Sequence, residues 1–209
     1  VGGLKKVAFD RYTAFRKVAG GCLAIFGWEG PADLVTARRG HAHKVFRRFG
    51  AVGLGSGVGR SWEKNRFEAP YLRDDLLDAG YLVETLETAN EWSQLDATYD
   101  AVHDALRGAL GAPLIGTHLS HVYPTGASLY FTVICPMADD PVAQWRAAKV
   151  VATQALVDTE ATITHHHAVG RDHAPWLGAE IGDSGVELLR AIKDHLDPAG
   201  IMNPGVLGL

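Results

Sequence analysis

Hydrophobic spacing along the chain changes period several times, and each change marks an element. Residues 4–18 carry Leu4, Val7, Ala8, Ala14, Phe15 and Val18 at helical spacing, and Gly20-Gly21 stops the run. Cys22–Phe26 reads as a short apolar strand. Pro31 then opens a helix as its first residue, with Asp33 in its first turn and Leu34, Val35, Ala42, Val45, Phe46 and Phe49 as its apolar face. Lys44, Arg47 and Arg48 complement the dipole of its last turn, and Gly50 caps it. Ala51–Leu54 predicts a brief strand, and helical turns run from Ser61 to Asp78 with an interruption near Pro70.

Beyond Asp78 the pattern is clearer. Leu82–Thr88 alternates apolar and polar, as a half-buried strand does. Ser93 and Asp96 predict the start of a helix whose stripe is Leu95, Tyr99, Val102, Leu106 and Leu110, ended by Gly111. Two strands follow, Leu114–Val122 and Ala127–Cys135, joined by the turn Tyr123-Pro124-Thr125-Gly126. A tight turn pairs Leu119 with Tyr130 and His121 with Ser128. Thr117, Leu119, His121, Ser128, Tyr130 and Thr132 then share one mostly polar face, and Leu129, Phe131, Val133 and Cys135 face the core. A slip of one residue would invert the faces. Residues 140–160 predict a long helix with Val142, Trp145, Ala148, Ala152 and Leu156 inward. Ser184-Gly185-Val186-Glu187 is a capping box for a helix that Asp197-Pro198 ends, and the apolar, turn-rich tail reads as a segment that packs on another surface. This order predicts an α+β fold in one domain over residues 1–209. An antiparallel sheet would carry helices on one side, close to a doubled ferredoxin-like arrangement.

Composition narrows the classes. Hydrophobic residues make up 47% and charged residues 21% of the 209, as in ordinary globular folds. A net charge of -4 gives no electrostatic case for nucleic acid, and no apolar run reaches membrane-spanning length. Cys22 and Cys135 each lie in an apolar run and are expected as buried free thiols in a reducing, cytoplasmic setting. Val1 is not an initiator Met and no signal pattern follows it, so the chain reads as a segment beginning inside a longer protein.

Candidate chemistry centres on His165-His166-His167, bracketed by apolar Ile163 and Val169. Adjacent imidazoles make a poor core, because each ring nitrogen needs a partner when buried. In an extended segment His165 and His167 face one way and His166 the other. Such a stretch is either a solvated loop or a segment that handles protons or contacts an anion. His118 and His121 could add metal ligands, but no Cys is near a His in sequence, so no metal is expected. The Gly53–Gly59 run lacks both the Lys of a phosphate loop and dinucleotide-fold spacing, and reads as a flexible connection. Acid–base work by His and Tyr, with an Arg for an anionic group, is the most economical combination.

Several of these stretches resemble a known family. Thr164-His165-His166-His167-Ala168-Val169-Gly170, Trp176-Leu177 and Leu196-Asp197-Pro198 followed by Asn203-Pro204-Gly205 resemble the C-terminal end of FAD-linked oxidases of the vanillyl-alcohol oxidase type. The His triplet is similar to that of alkylglycerone-phosphate synthase (alkyl-dihydroxyacetonephosphate synthase), with Ala168 where the family has Gly. Tyr71-Leu72-Arg73-Asp74, Leu86-Glu87-Thr88 and Gly126-Ala127 with Tyr130-Phe131 extend the likeness from about Gly20 onward.

The resemblance implies a cap or substrate domain of a flavoenzyme, with FAD bound mainly by an N-terminal domain of the same full-length chain. The family exchanges the acyl group of acyl-dihydroxyacetone phosphate for a long-chain alcohol, an ether-lipid step in which the flavin traps the substrate carbon without net oxidation. By position, Tyr130 and His166 match proton-transfer residues, with His165 and His167 beside them. Arg73 matches a phosphate contact, Thr85 stands where the family has Ser, His121 lies by the substrate and Asn203 by the cofactor. Tyr130, His166 and Arg73 are expected to converge on one concave surface. The partner is a phosphorylated, lipid-like substrate. A homodimer over the exposed docking area and peripheral association of the whole protein with a membrane are further expectations. Two alternatives stay open. One is an FAD-linked oxidase or dehydrogenase of a 2-hydroxy acid or alcohol, although the Gly-Asp-Gly-Asn-x-His run of its metal-binding members is absent here. The other is a non-catalytic binding domain.

Overall fold

Three antiparallel strands carry the part of the molecule that matters for function: β1 (Tyr81–Glu91), β2 (Leu114–Ser120) and β3 (Gly126–Pro136), in the spatial order β1-β3-β2. They belong to a computed structural model that describes Arg11 and residues 24–209. The helix expected over residues 4–18, its Gly20-Gly21 stop, Cys22 and Leu23 lie outside the described residues, apart from Arg11, which is helical. The chain, read above as one domain, divides into two compact units, Val1–Pro70 and Tyr71–Leu209.

In the first unit, α1 (Ala32–Arg48) starts directly after Pro31, which stands just outside it, and Gly50 follows its end in the left-handed conformation with φ 78°. The predicted apolar stripe buries no residue of α1, although the Phe46 ring meets Phe26 with centroids 4.6 Å apart. Ala24–Phe26 and Ala51–Leu54 are irregular, not strands. The Gly-rich run is not a loop throughout, because α2 (Gly57–Asn65) begins inside it and Arg60 donates to the Ser56 hydroxyl across its first turn. The helical stretch breaks at residues 66–68, and Pro70 stands in the first turn of α3 (Ala69–Asp78), where its missing N–H costs nothing and whose residues from Tyr71 onward belong to the second unit.

The second unit follows β1 with α4 (Leu95–Leu110), then β2, β3 and α5 (Pro141–Asp158). This is a ferredoxin-like βαββα unit, seen once among the described residues, with α4 and α5 packed on one face of the sheet. Leu86, Phe131 and Val133 of the sheet, Val102 and Leu106 of α4, and Ala148, Ala152 and Leu156 of α5 form the core. Removing Phe131 and Leu86 from water stabilises the fold by roughly 1.5–3 kcal/mol each. Two expected details differ. Gln94, not Ser93, occupies the cap of α4 and makes no side-chain bond, because β1 runs on to Glu91. Val142 of α5 is exposed, and Lys149 and Thr153 join the buried stripe instead. Cys135 is a buried free thiol. After α5, the helix α6 (Leu177–Leu196) starts ahead of the expected Ser184 box, with a non-helical break at Gly182 (φ 73°, ψ 162°). Asp197 ends α6 as predicted, accepting from Lys193 and from the Ile201 and Met202 amides.

Register decides what the open face of the sheet displays. His118 pairs with Tyr130, Leu119 with Leu129 and Ser120 with Ser128, one residue away from the expected pairing. The faces of β3 are as predicted, but Thr117 and Leu119 of β2 share the core parity, and Gly116, His118 and Ser120 share the parity of Tyr130. The cause is the connection. It spans residues 121–125, His121 leaves the strand with φ 44°, and the Tyr123 amide donates to Gly126 O at 2.8 Å. Gly126 closes the turn against β1: a Cβ there would lie 2.0 Å from Asn90 O.

Gly126→Ala is therefore expected to push β1 and β3 apart at this end. The expected destabilisation is about 1–3 kcal/mol, read as a lower denaturant midpoint.

Candidate functional site

The open face of the sheet carries Thr85, Glu87 and Ala89 from β1, paired with Thr132, Tyr130 and Ser128 of β3 in that order. Glu87 is buried although it lies on the face without α4 and α5. A buried carboxylate needs partners, and its own strand supplies none. The segment after α5 does. Thr162 N–H donates to Ala89 O and His165 N–H to Glu87 O, both at 3.0 Å, so residues 162–165 lie along the outer edge of β1. The Ala89 amide donates to Thr162 Oγ1 at 2.9 Å, and Ile163 beside it is buried. Ile163 N–H in turn donates to Glu180 of α6 at 2.9 Å.

The triplet is not extended beyond that point. His167 N–H donates to His165 O at 2.8 Å across His166, whose φ is 60°, which makes a γ-turn with His166 at its apex. The turn aims both neighbours at one carboxylate. His165 Nδ1 is 3.1 Å from Glu87 Oε1, and His167 Nε2 is 3.3 Å from Glu87 Oε2. His121 Nε2 is 4.0 Å from Oε1. His166 points outward, stacked on His165 with centroids 4.0 Å apart and 4.5 Å from His121. His165 and His167 converge as expected, but through a tight turn, and His166 is not turned to the opposite side: its ring stacks on His165. Ala168 also has a positive φ, 61°, a conformation that Gly adopts without a Cβ penalty.

Two tyrosines flank the cluster. The Tyr130 ring meets His167 edge-on at 5.7 Å. Tyr123 Oη is 3.1 Å from His165 Nε2. Burial pushes the Glu87 carboxyl up, but the hydrogen bonds from His165 and Ser128 and the charges of His165 and His167 outweigh it. The group stays below its usual value.

The structure brings Tyr130, His165, His166, His167 and His121 together, with Thr85 on the same face of β1. It does not bring Arg73 to them. Arg73 Nη2 is 3.3 Å from Glu84 Oε1, and Glu84 has the opposite parity to Glu87 on β1. Asn203 lies on the exposed tail with φ 48°. That tail returns to the segment after the triplet, where Leu207 N–H donates to Val169 O and Arg171 to Pro204 O. Sequence reasoning missed Glu87 and Tyr123. The signal for Glu87 was a carboxylate on the outward-facing parity of an alternating strand, beside Tyr130 and with no Lys or Arg nearby in sequence. Among the described residues, no group of three or more His, Cys, Asp or Glu has the geometry to hold a metal ion.

A second charged group lies behind the triplet. Lys149 of α5 and His173 are both buried. Burial and the Lys149 charge push His173 down to about 4, while its bond to the Ala168 backbone acts the other way. Burial likewise lowers Lys149, against the pull of Asp172 and Glu84.

Comparison with known proteins shows what the chain is similar to. The family model described as FAD linked oxidases, C-terminal domain, matches residues 6–207. Over 205 residues the chain is 32% identical to alkyldihydroxyacetonephosphate synthase of Dictyostelium discoideum, covering 96% of this chain and 33% of that protein. The synthase of Trypanosoma brucei brucei is 30% identical over 190 residues, 88% of this chain and 31% of its own length. A solved alkyldihydroxyacetonephosphate synthase superposes with a TM-score of 0.60 at 27% identity, over 85% of this chain and 30% of that one. The chain thus spans about a third of the length of these relatives.

The buried histidine fixes the sign of an acid response. The unfolded chain protonates His173 near 6.5, and the folded chain only near 4. Stability from this group is whole above 6.5 and falls as pH drops towards 4, by about 3 kcal/mol. Glu87 adds loss in the same direction below 4.5. Urea unfolding between those pH values should show the slope, and His173→Gln should flatten it.

Proposed function

We propose that this chain, which belongs to the family of FAD linked oxidase C-terminal domains, is the substrate-facing part of an FAD-dependent enzyme of the alkylglycerone-phosphate synthase type. One observation carries the reading: a surface array of imidazoles and phenols is organised by one buried carboxylate and held on the rigid edge of a sheet. That is a set of groups for moving protons, not for holding a metal.

In this reading the whole protein exchanges the acyl group of acyl-dihydroxyacetone phosphate for a long-chain alcohol. Proton transfer at the carbon next to the ketone falls to Tyr130 and His166, with His165 and His167 fixing their surroundings. The donor set of this face suits the polar edge of a flavin ring, and the resemblance assigns Asn203 on the tail to the same group. The Gly-rich run lacks phosphate-loop and dinucleotide-fold spacing, and Gly57 and Gly59 lie inside α2. In this reading FAD is held mainly by another domain of the full-length chain. When bound, it supplies a reactive ring at which the substrate carbon is activated. A lipid-like substrate favours a cytoplasmic protein that associates peripherally with membrane. The apolar side chains of Leu188, Leu196, Ile201 and Met202 are exposed, as a docking face requires, and a homodimer would cover the same kind of area.

Arg73 enters this scheme conditionally on its partner. It contacts Glu84 through one nitrogen and is half-exposed, so its fork is free to take a phosphate only by giving up that ion pair.

Tyr130→Phe in the FAD-loaded protein should lower the rate of acyl-for-alcohol exchange by roughly 100-fold or more with little change in KM. Exchange unaffected by this change, or reduction of the flavin by a 2-hydroxy acid in its place, would move the assignment to the oxidase branch. Arg73→Lys should weaken binding of the phosphorylated substrate about tenfold or more, because an ammonium cannot form the fork. Glu84→Gln should strengthen it, as titration calorimetry would show.

A further inference from the structure

Tyr123 stands in the connection between β2 and β3, outside the stretches quoted above for the resemblance. Its position is nevertheless closely determined. Its amide donates to Gly126 O at 2.8 Å, its carbonyl accepts from Trp92 Nε1 at 3.3 Å, and the Trp92 amide donates to Thr125 O at 3.1 Å. The loop is thus bonded to the end of β1 and closed by a glycine that has no room for a side chain. This is how a phenol is preorganised on a short loop.

Its hydroxyl meets one end of an ordered pair. His165 Nδ1 faces the Glu87 carboxylate at 3.1 Å and His165 Nε2 faces Tyr123 Oη at 3.1 Å. A carboxylate only accepts, so Nδ1 carries a proton; in the neutral ring Nε2 is then the acceptor and Tyr123 O–H donates to it. Exposure falls along the line. Tyr123 is 42% exposed, the His165 side chain 14% and the Glu87 side chain 5%. The other ionisable groups facing His165 are His166, stacked on it, and His121, edge-on at 5.2 Å. On the far oxygen of the same carboxylate, His167 meets Tyr130.

We propose that Tyr123 is a second acid–base residue of this site, acting through His165 and Glu87, in parallel with Tyr130 and His167 on the other oxygen. The proposal rests on the function proposed above, in which a substrate must lose a proton from an incoming alcohol and gain one on a departing carboxylate. As an alcohol O–H approaches Tyr123 Oη, its proton passes to that oxygen while the phenol proton passes to His165 Nε2. The products are an alkoxide and an imidazolium paired with Glu87, and the reverse movement returns one proton to a leaving oxygen. No other reactant is needed. Tyr123 would touch substrate, while His165 and Glu87 position and charge-balance it. A phenol on each limb gives the site separate groups for removal and delivery, as an exchange reaction with two oxygen partners requires.

The test separates a relay from a structural tie. In the FAD-loaded protein, ¹⁵N spectra should show neutral His165 as the Nδ1–H tautomer, and Glu87→Gln should abolish that preference. Tyr123→Phe should lower kcat at least tenfold with KM within about twofold and the melting temperature unchanged, and should alter the pH–rate profile. An Nε2–H tautomer, or a kcat for Tyr123→Phe within twofold of the parent, overturns the relay. If Tyr123→Phe is silent but Tyr130→Phe is inactive, the relay fails and the proposed function stands. If the parent itself performs no acyl-for-alcohol exchange, the proposed function fails and the substrate role of Tyr123 falls with it, whatever the tautomer.

Discussion

Burying one carboxylate on the open side of a sheet sets the terms for the surrounding structure. Glu87 cannot stay ionised in a dry place alone, since an unpaired buried charge costs several kcal/mol. Two of its neighbours come from far along the chain, so the segment after α5 must lie along β1 and turn sharply at His166. The Ile163 side chain is buried beside it, and the Thr162 and His165 backbone bonds extend the sheet edge. Edge strands left bare invite pairing with other chains; here the edge is covered by the same residues that satisfy the carboxylate. Electrostatics and edge protection therefore select one path for the chain.

The cluster is also asymmetric in a useful way. Its acid core is dry and its imidazoles reach outward, with His166 presented by the backbone and not by packing. A strained φ at His166 and again at Ala168 is tolerated because both flanks are pinned, at Glu87 before the turn and through Leu207 to Val169 after it. The tail from Asp197 to Gly205 thus has a structural role before any contact with a cofactor. Asp197 stops α6 and its acceptors shape the return of the chain towards the triplet.

Much of the second unit was legible because its periods are long and clean. β1, β3, α4 and α5 emerged from alternation and from helical stripes that bury Phe131, Val102, Leu106 and Leu156. The register of β2 was not legible, because a connection over residues 121–125 looks in sequence like a tighter turn, and the positive φ of His121 leaves no mark in composition. In the first unit, apolar runs such as Ala24–Phe26 and Ala51–Leu54 were too short to tell strand from irregular chain. Within the site, the triplet, Tyr130 and His121 were visible as residue types in a pattern or by likeness to a family. Glu87 was hidden by its ordinariness, one Glu among several in an alternating strand. Tyr123 looked like turn chemistry, and only the distance to His165 Nε2 distinguishes it. Arg73 shows the converse, a residue legible by likeness that the structure ties to Glu84 across the strand.

The γ-turn has a consequence for how such a domain can vary over time. The directions of three successive side chains depend on one dihedral pattern counted from the Ile163 anchor, not on the chemical identity of each ring. Exchanging a ring alters reactivity while leaving the others in place. Gaining or losing a single residue between Ile163 and Val169 instead rotates every ring off its target at once. Divergence here should proceed by replacement within a fixed length, and the segment should resist insertion and deletion even where individual substitutions are accepted.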